Sequence, residues 1–221
     1  MADGFVELID SSNAFFGELL QNNTKEWFEP QKPRYTDEIK KPGELLASLL
    51  AEDLSRLCGV SFKPKLFRIY RDVRFSKDKT PYNAHLHISC MQGGEGAKPG
   101  WFFGSAPDYL FLCTGVMGLQ GAGLTRFRAL VDQDGDALQS AIDAAVAGAG
   151  AEISSWGPEP LKRVPKQYDA DHPHAELLKR KNLVLVAPPA GGWREHGLLK
   201  GLGETAKALL PVWQVLESGL S

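Results

Sequence analysis

The chain predicts an α+β fold, with a central antiparallel sheet covered by helices from the N-terminal and C-terminal parts of the sequence. Three observations predict it. Apolar residues keep helical spacing through 11–58, switch to period two through 62–117, and return to helical spacing through 122–218 around one continuous apolar run. The links between the period-two segments are short, which favours an antiparallel meander. Residues 1–221 read as a single domain, a size that can bury a substantial core without staples.

Each element has its own signal. Ser11 or Ser12 can cap a first helix ending near Gln21, with Ala14, Phe15, Phe16 and Leu19 as its core face. Thr24 can cap the next, which carries Trp27 and Phe28, while Pro30 and Pro33 limit regular helix there. A helix over 34–40 precedes a stronger one after Pro42, in which Leu45, Leu46, Leu49, Leu50, Leu54 and Leu57 keep helical spacing up to a C-cap at Gly59. Strands are expected at 64–72, 82–91, 100–104 and 108–117, with a glycine-rich hairpin between the second and third. Gly115, Gly118, Gly121 and Gly123 could cradle a phosphate before a helix near Thr125, but they match neither a Walker pattern nor a dinucleotide fingerprint, and the other reading is a flexible strand-to-helix connection. Helix over 122–149 should break at Asp134-Gly135-Asp136. After it come a short strand at 152–156, an irregular proline-rich block at 157–173, one or two helical turns at 174–181 and a strand at 183–187. A last helix over 193–216 should kink at Pro211.

Composition narrows the function classes. A net charge of -2 gives no global basic field, which disfavours broad nucleic-acid binding. Cys58, Cys90 and Cys113 are scattered in apolar surroundings without a CxxC pattern, so they read as buried thiols in a reduced, cytoplasmic setting, and no structural metal is expected. No secretory leader and no membrane-spanning run is seen, and no cofactor fingerprint is present. A GxSxG element and a nucleophilic Cys–His pattern are both missing, which disfavours serine and cysteine hydrolases.

The chemistry concentrates in 67–87, FRIYRDVRFSKDKTPYNAHLH. From Lys63 to Lys79 seven cations face only Asp72 and Asp78, several of them beside Phe67, Ile69, Val73 and Phe75. A cation next to a core needs a carboxylate, carbonyls or an anionic ligand. One reading is therefore an anion pocket built from arginine forks, and the other is a solvated edge strand guarded by lysine. His85 and His87, two apart on a strand, share a face; with His172, His174, Asp169 and Asp171 they could form a metal shell, although the spacing alone is a weak signal. His172 could instead serve as an acid or base, or simply bond within an ordered loop.

Residues 68–82, RIYRDVRFSKDKTPY, closely resemble the signature of domain-of-unknown-function family 2461. NNTKEWF at 22–28 resembles that family's N-terminal element, and LKRVPKQYDADHP at 161–173, followed by ELLK, resembles its second block. Gln167 stands where the family often has glycine, a departure from the family pattern at that turn. The resemblance spans nearly the whole chain, favours the pocket reading and implies no particular reaction. On this reading a small phosphorylated or carboxylated ligand is held by Arg68, Arg71, Arg74, Lys77, Lys79, Tyr82 and the second-block Lys166, with His85 or His172 as catalytic candidates. The alternative is an interaction module that docks an acidic protein segment or nucleic-acid backbone on its basic strip. The sequence leaves the oligomeric state open.

Overall fold

The computed structural model describes residues 3–220. Helix α1 (Phe5–Gln21) starts well before Ser11. Phe5, Leu8 and Ile9 already belong to its buried stripe, and Ser12 is a buried interior residue whose hydroxyl donates to the Ile9 carbonyl at 3.0 Å. The start is held instead by Asp3, whose Oδ1 accepts the Phe5 amide at 3.3 Å. Thr24 caps α2 (Lys25–Arg34) as expected, accepting the Trp27 amide at 3.3 Å. Both prolines lie inside α2 without ending it. They are exposed, as are Glu26 and Glu29 four residues before them, so water can reach the backbone groups the prolines leave unbonded. A π-helical stretch (Tyr35–Lys40) then runs straight into α3 (Lys41–Cys58), which closes on left-handed Gly59.

The sheet follows. Its strands are β1 (Phe62–Leu66), β2 (Leu86–Gln92), β3 (Gly100–Ala106), β4 (Tyr109–Val116), β5 (Glu152–Ile153) and β6 (Leu183–Ala187). They run in the order β1-β2-β3-β4-β6-β5, and every pairing is antiparallel. The first two strands are shorter than expected. Residues 67–85 leave the ladder, keeping only the bridge between Tyr70 and Tyr82. Asn23 takes over the backbone there: its Nδ2 donates to Tyr82 O at 3.0 Å and its Oδ1 accepts Tyr82 N at 3.1 Å.

Alternation gives the sheet two faces. Leu86, Ile88 and Cys90 of β2, Trp101 and Phe103 of β3, Leu112 of β4 and Leu185 of β6 are buried in the main core together with the helices. That core is closed by α4 (Gly121–Ala149), α5 (Ala175–Leu178), α6 (Trp193–His196) and α7 (Leu198–Leu220). Helix α4 bends where expected, at Asp134 (φ -127°, ψ 26°). The final helix differs from expectation. It breaks at Gly197 (φ 104°), and Asp3 caps α7 from outside, its carboxylate accepting the Leu198 and Leu199 amides at 3.0 and 2.9 Å, while Pro211 lies inside α7. The opposite face carries a separate apolar cluster of Phe111, Cys113 and Val184, flanked by Phe102, Tyr109, Trp156 and Val186.

Gly115 sits on this second face with φ 146°, and a Cβ there would lie 2.0 Å from the Leu183 carbonyl oxygen of the neighbouring strand. Gly115→Ala should therefore cost about 3 kcal/mol from backbone strain and a displaced β4–β6 ladder. Urea unfolding checks this, and a midpoint equal to wild type would refute it.

Candidate functional site

The cationic loop is internally neutralised to a large extent. Arg71 Nη1 donates to Asp78 Oδ2 at 2.5 Å, to the Thr80 carbonyl at 3.2 Å and to the Thr80 hydroxyl oxygen. Asp78 also accepts the Thr80 amide at 2.9 Å, and these bonds, the amide first, hold its carboxyl down to about 2. Arg74 grips Asp72 through Nε at 2.9 Å and Nη2 at 2.6 Å, which lowers the Asp72 carboxyl as well. Lys79 Nζ donates to the Val73 carbonyl at 2.9 Å. One residue separates Asp72 from Arg74, so the pairing is local to the loop. Arg68 and Lys77 remain exposed. Tyr82 is buried, its ring stacked on Phe28 at 4.1 Å, so it packs in the core.

The second block does not fold over this loop. The loop joins β1 to β2 at one edge of the sheet, while 154–182 joins β5 to β6 at the other. Lys166 is exposed, away from Arg68, Arg71 and Arg74. His172 fastens the block to α4. Its Nε2 lies 3.4 Å from Asp132 Oδ1, and its Nδ1 accepts the His174 amide at 3.0 Å. His174 Nε2 meets Asp136 Oδ1 at 2.8 Å, its ring packed where a Cβ on Gly135 would be 2.2 Å away. The histidines of this block therefore serve as clasps. Among the described residues no group of three or more His, Cys, Asp and Glu side chains is placed to hold a metal ion.

The site that the structure does assemble lies on the uncovered sheet face. Strand register puts His87, Ser89 and Met91 of β2, Phe102 of β3, Phe111 and Cys113 of β4 and Val184 of β6 on that side. Glycines make it concave. Gly100 and Gly115 are direct cross-strand partners, and Gly104 stands between His87 and Phe111. With no side chain at Gly104, Phe111 lies over that point, its ring 2.4 Å from where a Cβ would be. The result is a groove of about 890 Å³, walled by Met91, Phe102, Phe111, Met117, Trp156 and Val184.

At one end of the groove His87 Nε2 meets the Tyr109 hydroxyl at 2.7 Å. His85 stacks on the His87 ring at 3.6 Å, as the same-face spacing requires. Phe67 adds an edge contact to His87, with ring centroids 6.4 Å apart. Burial, with a smaller contribution from His85, pushes the His87 imidazole down to about 3, and burial also lowers His85. Burial first, then Asp108, raises the Tyr109 phenol to about 12. A neutral imidazole bonded to a neutral phenol can donate or accept one hydrogen bond without bringing charge into an apolar site.

A family model described as a conserved hypothetical protein (DUF2461) matches residues 11–214. The chain belongs to the DUF2461 family. No curated protein and no solved structure matches it. In this DUF2461 chain the matched span holds the basic loop, the histidine clasps and every residue named above for the groove. Sequence reading named His85 and passed over Tyr109, Phe102, Phe111 and Trp156. Their signal was present in consecutive apolar residues such as Phe102-Phe103 and Leu110-Phe111-Leu112-Cys113, which give an antiparallel strand two apolar faces.

The His87 environment fixes a pH dependence. Its pKa falls from 6.5 in the unfolded chain to about 3 in the fold, so between those values the unfolded state holds the extra proton. Stability must then rise with pH across that window and be lost as pH falls from about 6.5 toward 3. His87→Gln removes this titration, and its urea-unfolding stability should drop less than wild type between about pH 7 and pH 4. Equal drops would contradict the assignment.

Proposed function

We propose that the chain binds a small, largely apolar molecule in the open-face groove, oriented by one hydrogen bond to the His87–Tyr109 pair. The observation that carries this reading is a glycine-floored aromatic trough of about 890 Å³ with no Asp or Glu among its lining residues. That volume lies in the range of small-molecule sites, whose walls are mostly apolar with few polar groups. The same pair is placed to pass a proton to or from a bound molecule, since a neutral histidine beside a phenol can act on either side of the exchange. Ser89 lies on the groove floor between Lys65 and Phe102. Ser89→Trp fills the trough from a half-exposed strand position. The neutral dye Nile red should bind wild type with a blue-shifted emission, and the variant should bind it about tenfold more weakly with little change in melting temperature. Equal binding by a folded variant would sink the reading.

A second reading, docking of an acidic protein segment, is favoured by Phe75. This side chain is 96% exposed, at the tip of a loop closed by the Arg71–Asp78 and Lys79–Val73 contacts, with Arg68 and Lys77 exposed nearby. A preorganised aromatic beside cations suits an apolar pocket rimmed by carboxylates. A photo-crosslinking residue at position 75 should capture a partner in cells, and Arg68→Glu with Lys77→Glu should abolish the adduct. A control crosslinker at exposed Val146 should capture none. An adduct indifferent to the charge reversals would exclude an acidic partner.

A further inference from the structure

The groove has two unlike ends. His87 and Tyr109 close one of them without charge. The other lies about 17 Å further along β2, given the rise of a strand, where the 93–99 hairpin forms the rim. Ammonium groups gather there. Lys98 lines the groove, and its Nζ donates to the Gly93 carbonyl at 2.9 Å. Lys63, opposite Met91, places its Nζ 4.0 Å from where a Cβ on Gly93 would sit. Lys65, two residues on and opposite Ser89, holds its Nζ 5.5 Å from the Phe67 ring centre on the same face. Among the described residues none of these three lysines has a carboxylate within ion-pair distance, although lysines elsewhere in the chain do. The acids in the neighbourhood are Glu95, exposed in the hairpin, and Glu217 of α7, which accepts a hydrogen bond from Gln92 at 2.7 Å.

The backbone of the hairpin points the same way. Gly94 and Gly96 have φ of 99° and 97°, conformations only glycine adopts easily. Among the described residues the amides of 93–96 donate no hydrogen bond to other backbone or side-chain groups. Amides free in a glycine turn can form a concave set of donors for an anion. Two ammonium groups beside Gly93 at an apolar mouth, with no carboxylate at ion-pair distance among the described residues, repel each other, and an anionic ligand relieves that repulsion.

We propose that the ligand is an amphipathic carboxylate, with its head between Lys63 and Lys98 at the hairpin and its apolar body along the trough toward His87 and Tyr109. This rests on the groove being a ligand site. A carboxylate fits better than a dianionic phosphate, because each further charge held at the edge of an apolar trough costs more desolvation. The neutral far end suits an uncharged tail.

The test uses the full chain and displacement of bound Nile red by decanoate and by decan-1-ol, which share a body and differ in the head. Decanoate should displace the dye at about tenfold lower concentration than decanol, and salt should narrow the gap. In the double variant Lys63→Met, Lys98→Met, with displacement referred to the variant's own Nile red affinity, acid and alcohol should displace the dye equally. Equal displacement in wild type, with dye binding intact, would overturn the head site and leave the groove standing. A preference for decanoate that survives in the double variant would place the head elsewhere and overturn it too. Failure of wild type to bind the dye would remove the groove and this proposal together.

Discussion

A six-stranded sheet with two apolar faces and helices over only one of them sets the terms for everything else in this molecule. Helices α1, α3, α4 and α7 share a single core with Trp101, Phe103, Leu112 and Leu185. With far more buried apolar residues than the opposite face, that side supplies most of the hydrophobic driving force. The other face keeps Phe102, Phe111, Cys113 and Val184 without a helical cover. Phe111, Cys113 and Val184 are shielded by one another and by their neighbours, while Met91 and Met117 on the groove wall stay exposed, and contiguous apolar surface of this kind marks binding sites. Glycine gives the patch its shape: Gly100, Gly104 and Gly115 lower the floor, and the neighbouring rings turn in over it.

Charge is distributed to suit that geometry. Where the chain is richest in cations it also supplies its own counterions two or more residues away, so Asp72 and Asp78 organise the loop from within. Around the groove the opposite holds. Lysines stand on one flank and at one end, and the lining contains no carboxylate. The polar groups inside, His87 and Tyr109, are held neutral by burial. An apolar site can tolerate such a pair because each partner satisfies the other and neither carries charge.

Much of the architecture was legible from local pattern. The meander, the hairpin, the strand at Leu183–Ala187, the Thr24 and Gly59 caps and the bend near Asp134 follow from periodicity and from residues whose preferences act within one turn. Errors arose where a distant group decides. Asp3 sets the start of α7 across nearly the whole chain, and Asn23 captures the backbone of Tyr82, so neither Gly197 nor the early end of β1 could be read from neighbours. The site followed the same rule. Counting cations located a basic stretch, but which of them face a ligand depends on strand order, and strand order places Lys166 and Arg71 at opposite edges. Tyr109 joins His87 across an intervening strand, a relation that spacing along the chain does not encode.

The carboxylate of Asp3 joins the beginning of α1 to the beginning of α7, and this has a consequence for synthesis on the ribosome. The β1–β4 meander leaves the exit tunnel long before α7 exists. At about 5–20 residues per second, the roughly hundred residues after β4 take about 5–20 s to add. Throughout that interval α1 and α3 can already cover part of one face of the nascent sheet, but the part that α7 covers and the whole of the opposite face are bare, and α1 lacks the helix whose amides share its capping carboxylate. The core over β4 therefore closes only when α7 arrives. An early stop codon that removed α7 would yield a sticky sheet and no smaller working domain.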